Sequence, residues 1–181
     1  MIDVFIVVYH PDVPQLHALL DALLAEHCAA RPLLVRIWHN DGDVPAHGEI
    51  AAVYANCRSR GLNMTLGGGE GNLGFGGGVN RLLRDSDATY VLLLNQDAIP
   101  EACSVGSLVT TAQGDDIAVA AWEMRQIPFE HPKAYDPVTL DTEWVSGAAV
   151  LFRASALLTM RPLTLIGLVP ACSSPTTSEV P

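Results

Sequence analysis

Short apolar runs alternate with segments of helical spacing along most of this chain, and this alternation constrains its fold more than any other feature. Three of the runs are DVFIVVY, which is continuous and rich in branched residues, LLVRIWHN, and TYVLLLNQD, which has five apolar residues in a row. Such runs are typical of strands buried on both faces of a sheet. Leucines recur at helical spacing between the first two runs, from Leu16 to Leu24. The order predicts an α/β fold, a mostly parallel sheet with helices on both faces.

Shorter elements complete this prediction. Further strands are predicted at NMTL, IAVAAWEM and EWVSGAAVLF, and a third helix is predicted to begin at Val79. Ligands of parallel α/β sheets bind beyond the carboxyl ends of the strands. We therefore expect the functional polar residues at Tyr9 and His10, at His39 to Asp41, at Gly67 to Gly69 and at Asn95 to Asp97.

A glycine segment from Gly67 to Gly78 holds eight glycines in twelve residues. One interpretation is the dinucleotide fingerprint GxGxxG at Gly69, Gly71 and Gly74, with Asp97 as the acidic residue at a later strand end. That fingerprint belongs after the first strand of its fold, whereas here it follows the third. A nicotinamide-dependent oxidoreductase stays open as an alternative, and so does a plain flexible loop.

The second interpretation uses a longer pattern, NLGFGGGVNRLL followed by YVLLLNQDAIPE. This pattern resembles the inverting nucleotide-sugar glycosyltransferases of family two, which have the GT-A fold, and in particular the rhamnosyltransferase-like members. The resemblance covers roughly residues 2–158. The matching positions are Asn72, Gly74, Phe75, Gly76, Asn80, Asn95 and Asp97.

The resemblance implies a site for a nucleoside-diphosphate sugar. Tyr9 would stack on the base, and Asn95 to Asp97 stands for the family's metal motif, with Asn95 in place of its first carboxylate. Asp97 would hold Mg²⁺ or Mn²⁺ against the diphosphate. Glycines and a helix N-terminus suit the phosphates. His39 and Asn40 stand where the family usually has Asp-Asn, so they are the expected neighbours of the base.

The resemblance also implies an acceptor side, in the segment VSGAAVLFRASAL with Trp144 and Gly147. The family would transfer a sugar, such as rhamnose from a dTDP donor, onto a surface polysaccharide or a lipid-linked acceptor. Its general base follows this segment. Here residues 159–181 are rich in Pro, Ser and Thr, and their only acidic residue is Glu179. No catalytic base is identified.

Two regions are therefore expected, a GT-A-like nucleotide-sugar-binding domain over 1–158 and an irregular tail over 159–181. A truncation or a reading-frame slip near the C-terminus would account for the tail. The chain would then transfer sugar poorly, and a non-catalytic remnant or binding module is the alternative.

The composition of the chain limits which classes of partner and which cellular location we expect. A net charge of −10 argues against a nucleic-acid-binding surface. No apolar stretch is long enough to span a bilayer, and no basic residue precedes the first apolar run, so we expect a cytoplasmic protein, either free or in peripheral contact with the inner face of the membrane. The cysteines are Cys28, Cys57, Cys103 and Cys172. Without a CxxC pair they predict reduced thiols and no zinc site.

Overall fold

The computed structural model of the chain describes residues 1–29, 32–128 and 132–160. The strands are β1 (Ile2–Val8), β2 (Leu33–His39), β3 (Met64–Gly67), β4 (Tyr90–Asn95), β5 (Ala121–Glu123) and β6 (Ala149–Arg153). The helices are α1 (Val13–Ala29), α2 (Glu49–Ser59), α3 (Gly74–Arg84), α4 (Ser104–Gly114) and α5 (Ala154–Thr159). None of these helices has the length and apolar character needed to cross a membrane.

The strands form one sheet in the order β3-β2-β1-β4-β6-β5. The pairs β1–β2, β1–β4 and β2–β3 are parallel, whereas β6 runs antiparallel to both of its neighbours, β4 and β5. The carboxyl ends of β1 to β4 therefore lie at one edge of the sheet. The segment that enters β6 reaches the same edge, because the Asn95 N–H donates to the Ala148 carbonyl at 2.9 Å.

Apolar side chains are buried on both faces of the sheet. Along β1, Val4, Ile6 and Val8 belong to a core cluster that includes residues of α1, α2 and α4. The alternate residues Phe5 and Val7 belong to a second cluster with residues of α3 and α5. This alternation explains the continuous apolar sequence of β1 from Val4 to Val8. The predicted α/β fold, with helices on both faces of a mostly parallel sheet, is confirmed.

Three predicted boundaries differ from the structure. The predicted strands IAVAAWEM and EWVSGAAVLF shrink to β5 and β6, so the latter begins only at Ala149. The third helix begins at Gly74 rather than at Val79, so the second half of the glycine segment is helical. The expected tail falls mostly outside the described residues, because α5 extends to Thr159 and the description ends at residue 160.

Close packing against the sheet explains Gly78 of α3. A Cβ added at Gly78 would lie 2.8 Å from both methyl groups of Val7 and 3.2 Å from the Trp38 ring. A residue with a side chain would therefore push the helix away from β1 and β2. Glycine is a poor helix former, but here the backbone of α3 approaches the sheet more closely than any other residue type allows.

Candidate functional site

The carboxyl edge of the sheet brings together four of the strand ends predicted to form the site. We use the name carboxyl edge for Tyr9, Asn40, Gly67 to Gly74, and Asn95 to Asp97. Hydrogen bonds between consecutive strand ends link all four segments, as the following contacts show.

Gln96 fixes the backbone of Tyr9 to the end of β4. The Tyr9 N–H donates to Gln96 Oε1 at 2.8 Å, and Gln96 Nε2 donates to the Tyr9 carbonyl at 3.1 Å. The Tyr9 side chain is left exposed, with 47% of its surface accessible. Its ring lies 4.2 Å from the His10 ring, measured between centroids. An exposed aromatic ring on a fixed backbone is suited to stacking on a planar group.

Asn40 joins the end of β2 to the start of α3. Its N–H donates to the Val8 carbonyl at 2.8 Å. Its side-chain Nδ2 donates to the Gly74 carbonyl at 3.0 Å, and its Oδ1 accepts from the Leu73 N–H at 3.3 Å. The residue is only 3% exposed. The side chain predicted to lie beside the base therefore binds the backbone that enters α3.

The His39 side chain is buried against α2. Its Nε2 lies 2.8 Å from Tyr54 Oη of α2, and its Nδ1 lies 3.4 Å from Asp41 Oδ1. Burial lowers the pKa of His39 although Asp41 opposes the shift, and burial raises the pKa of the Tyr54 hydroxyl. Both groups are therefore neutral at pH 7. His39 was predicted to be a donor-side residue, but it is fully buried and offers no surface to a ligand.

The glycine segment lies against the loop that follows β2. The Gly69 N–H donates to the Gly42 carbonyl at 2.8 Å. A Cβ at Gly68 would lie 2.5 Å from that carbonyl oxygen, and one at Gly69 would lie 2.7 Å from Asp43 Oδ1. Asn72 Oδ1 accepts from the Gly74 N–H at 2.8 Å. Gly68 and Gly69 are therefore needed for contact between two loops. From Gly74 onward the segment is helical, so it is not a free loop.

Asp97 is exposed just beyond the end of β4. Among the described residues its carboxylate makes no hydrogen bond or ion pair. Asn95, two residues earlier, is half-buried, and its carbonyl accepts from the Ala98 N–H at 3.1 Å in the turn that follows. A carboxylate without a protein partner, held on the turn after a buried strand, is a suitable oxygen ligand for Mg²⁺ or Mn²⁺. The chemistry of this position therefore fits the predicted cation.

The segments predicted to form the donor and acceptor sides approach each other at Phe75. A Cβ at Gly147 would lie 3.9 Å from Phe75 Cε1, which is ordinary contact distance. Gly76 is buried and Asn80 is half-buried, both within α3. Trp144 is half-buried beneath Lys133, whose Nζ lies 4.6 Å from the centre of the indole ring. Lys133 is ion-paired with Glu123 at the end of β5. Trp144 thus packs against a buried ion pair.

The sequence predicts the positions of Gln96 and Asp41 but not the contacts by which they join one strand end to another. Gln96 fixes the backbone of Tyr9. Asp41 contacts His39 and also accepts from the His10 N–H at 3.2 Å, so it connects the ends of β1 and β2. Both residues are polar and directly follow predicted buried strands, which was the available signal.

No protein-family model and no curated protein sequence matches this chain. Solved structures do match it. The mannosyltransferase PcManGT from Pyrobaculum calidifontis, in complex with GDP-Man and Mn²⁺, is 16% identical with a TM-score of 0.64, and the match covers 94% of this chain and 48% of that one. S. aureus TarS 1–349 in complex with UDP-GlcNAc is 14% identical with a TM-score of 0.64, over 87% of this chain and 46% of that one.

A third match lies outside the glycosyltransferases. The 4-diphosphocytidyl-2C-methyl-D-erythritol synthase from Anaerococcus prevotii is 11% identical with a TM-score of 0.54, over 88% of this chain and 74% of that one. The chain spans about half the length of the mannosyltransferase and of TarS 1–349. These likenesses show the fold and do not identify the rhamnosyltransferase-like members. The chain has the GT-A fold of the nucleotide-sugar transferases.

Proposed function

We propose that the carboxyl edge binds a nucleoside-diphosphate sugar and that the chain supplies the donor-binding part of a glycosyltransferase. The observation that carries this proposal is the pairing of two exposed groups on adjacent strand ends. The Tyr9 ring and the Asp97 carboxylate are both exposed, and Gln96, next to Asp97 in the chain, holds the Tyr9 backbone. A nucleotide sugar has a planar base, which suits the Tyr9 ring, and a diphosphate, which suits a cation held by the Asp97 carboxylate.

The need for a cation follows from the charges around the glycine segment. Arg81 of α3 lies beside this segment and is already ion-paired with Glu70. Asp43 lies against Gly69 on the other side. A diphosphate would meet an acidic surface there, and Asp97 could hold Mg²⁺ or Mn²⁺ between them. When bound, such an ion stabilises the charge that develops on the leaving diphosphate. The Mn²⁺ in the mannosyltransferase complex supports this assignment.

The remaining residues position the donor and shape the acceptor side. Tyr9 would stack on the base, while Asn40 and Asn72 hold the backbone at the start of α3 in place. Phe75 and Gly147 mark where the donor side meets the acceptor side. A carboxylate base on the acceptor hydroxyl would give direct displacement with inversion. The segment expected to carry that base lies outside the described residues.

The finer assignments rest on the sequence resemblance. The donor would be dTDP-rhamnose or a related nucleotide sugar, and the acceptor would be a surface polysaccharide or its lipid-linked precursor. The reaction would take place in the cytoplasm or at the inner face of the membrane. The domain of 1–158 and the tail of 159–181 remain part of this proposal.

A binding survey tests the proposed function against its alternatives. The chain is titrated in Mn²⁺ with UDP-, GDP- and dTDP-sugars, with nucleoside triphosphates and with NAD⁺. Binding of one nucleoside-diphosphate sugar in preference to the other two classes supports the proposal. Preference for a triphosphate would favour a nucleotidyltransferase, a class suggested by the synthase that shares the fold. Preference for NAD⁺ would favour the oxidoreductase, and no binding at all would contradict donor binding.

A further inference from the structure

A second candidate metal site lies between α1 and α2. His17 and Asp21 are one turn apart on α1, and Cys57 lies in the last half of α2. One ligand atom from each residue lies within 4.8 Å of the others. We propose that His17, Asp21 and Cys57 bind a zinc ion that joins the two helices.

The three side chains are arranged nearly as tetrahedral zinc coordination requires. Zinc bonds of about 2.0–2.3 Å place neighbouring ligand atoms about 3.3–3.8 Å apart. His17 Nε2 is already 3.6 Å from Asp21 Oδ2. Cys57 Sγ lies within 4.8 Å of both other ligand atoms, so it must move by at most about 1 Å to reach the separations of a zinc site. Three protein ligands leave the fourth position for water.

The His17 ring nitrogen points to a ligand. The ring as a whole is 44% exposed, but its Nε2 is shielded from solvent and has no hydrogen-bond partner among the described residues. A shielded ring nitrogen without a hydrogen bond costs free energy. A bound ion would satisfy it, because neutral imidazole nitrogen is a common zinc ligand.

Arg60 holds Asp21 in the orientation that the ion would need. Its guanidinium donates to Asp21 Oδ1 at 2.5 Å. The other carboxylate oxygen, Oδ2, is the one that faces His17. Arg60 also donates to Asn56 Oδ1 at 3.3 Å, which anchors the guanidinium to α2. Carboxylates that bind metals are commonly oriented by such a hydrogen bond on the second oxygen.

One simpler interpretation of Cys57 accounts for less. Core packing would explain a fully buried thiol, but it does not explain why an imidazole nitrogen and a carboxylate oxygen lie beside the sulphur.

The ligand set selects zinc over the cation proposed for Asp97. Nitrogen, sulphur and oxygen ligands together suit Zn²⁺, whereas Mg²⁺ and Mn²⁺ prefer oxygen ligands. The cysteine spacing alone predicted no zinc site. The two other ligands come from a His-x-x-x-Asp pair on one face of α1, a spacing that places both side chains together.

Cobalt titration is the test, because Co²⁺ occupies zinc sites and its bond to a thiolate absorbs in the near ultraviolet. The full chain, freed of metal and kept reduced, should take up one Co²⁺ with this absorption and lose it on addition of Zn²⁺. Cys57→Ser should abolish the band. His17→Gln and Asp21→Asn should each weaken Co²⁺ binding at least tenfold. Both of these side chains are partly exposed, so their variants should fold even where Cys57→Ser does not.

Control variants separate this site from other cysteines and from the donor site. Cys103→Ser removes an exposed thiol at the start of α4, and His47→Gln removes an exposed imidazole in the loop before α2. Neither should change the band, and Asp97→Ala should leave it intact. The proposal is overturned by a wild-type chain without the band, by a band that persists in Cys57→Ser, or by unchanged affinity in His17→Gln.

Discussion

The side-chain amide of Gln96 makes two hydrogen bonds with the backbone of Tyr9, one to its N–H at 2.8 Å and one to its carbonyl at 3.1 Å. Because β1 and β4 are parallel neighbours, these two hydrogen bonds link the strands at the point where both end. The exposed ring of Tyr9 is thereby held beside the turn that carries Asp97.

Replacing Gln96 should affect ligand binding more than folding. Gln96→Ala removes both hydrogen bonds and frees the Tyr9 backbone, while the free energy of unfolding should fall by only about 1 kcal/mol. We expect the affinity for the nucleotide sugar to fall about three- to tenfold, by calorimetry. Gln15→Ala, at an exposed position in α1, is the matched control and should change neither quantity. An unchanged affinity in a destabilised Gln96→Ala chain would show that the pair is only structural.

A side chain at Gly78 should disrupt the packing of α3 on the sheet. The added Cβ of Gly78→Ala would lie 2.8 Å from both methyl groups of the buried Val7. Overpacking of this kind costs about 1–3 kcal/mol, which exceeds the gain of about 1 kcal/mol in helix propensity. Gly114→Ala at the end of α4 meets nothing within 4 Å and serves as the control. Urea unfolding should show a loss only for Gly78→Ala, and equal stability of the two variants would contradict the close approach.

His39 should make folding stability depend on pH. Its pKa in the folded chain is lowered from 6.5 by burial, so the unfolded chain binds the proton first as the pH falls. The free energy of unfolding should therefore decrease as the pH drops below about 6.5, by at most about 1.4 kcal/mol per pH unit for one proton. His39→Gln removes this contribution. The free energy of unfolding of wild type and of His39→Gln is measured at several pH values between 7.5 and 5. As the pH falls, the wild type should lose stability relative to His39→Gln. A difference that stays constant would contradict the buried neutral imidazole.

The strands with continuous apolar sequences could be predicted because local sequence and burial agree there. In β1, seven buried residues in a row leave no other interpretation. The start of α3 could not be predicted, since the four glycines from Gly74 to Gly78 disfavour a helix locally. For Gly78, contact with Val7 and Trp38 explains why glycine is present. Tertiary packing overrides intrinsic propensity at such a position.

The sequence predicted where the residues of the candidate site lie in the sheet, but not which residues they contact. Parallel topology alone places Tyr9 and Asp97 at one edge. The roles of Asn40 and His39 depend on side-chain direction, and both turn toward protein groups rather than outward. The link from Gln96 to Tyr9 depends on the register of β1 against β4, which the amino-acid order does not contain.

Calorimetry of Asp97 variants tests the central claim most directly. The nucleotide sugar that binds best is titrated into wild type, Asp97→Ala and Asp87→Ala, each with Mn²⁺ and again with EDTA. Asp87 is an exposed aspartate before β4, at the opposite end of that strand from Asp97. We predict that EDTA weakens binding to wild type and to Asp87→Ala at least tenfold, about 1.4 kcal/mol, and that Asp97→Ala binds weakly under both conditions. Binding that neither EDTA nor Asp97→Ala changes would contradict a metal-dependent donor site at the carboxyl edge.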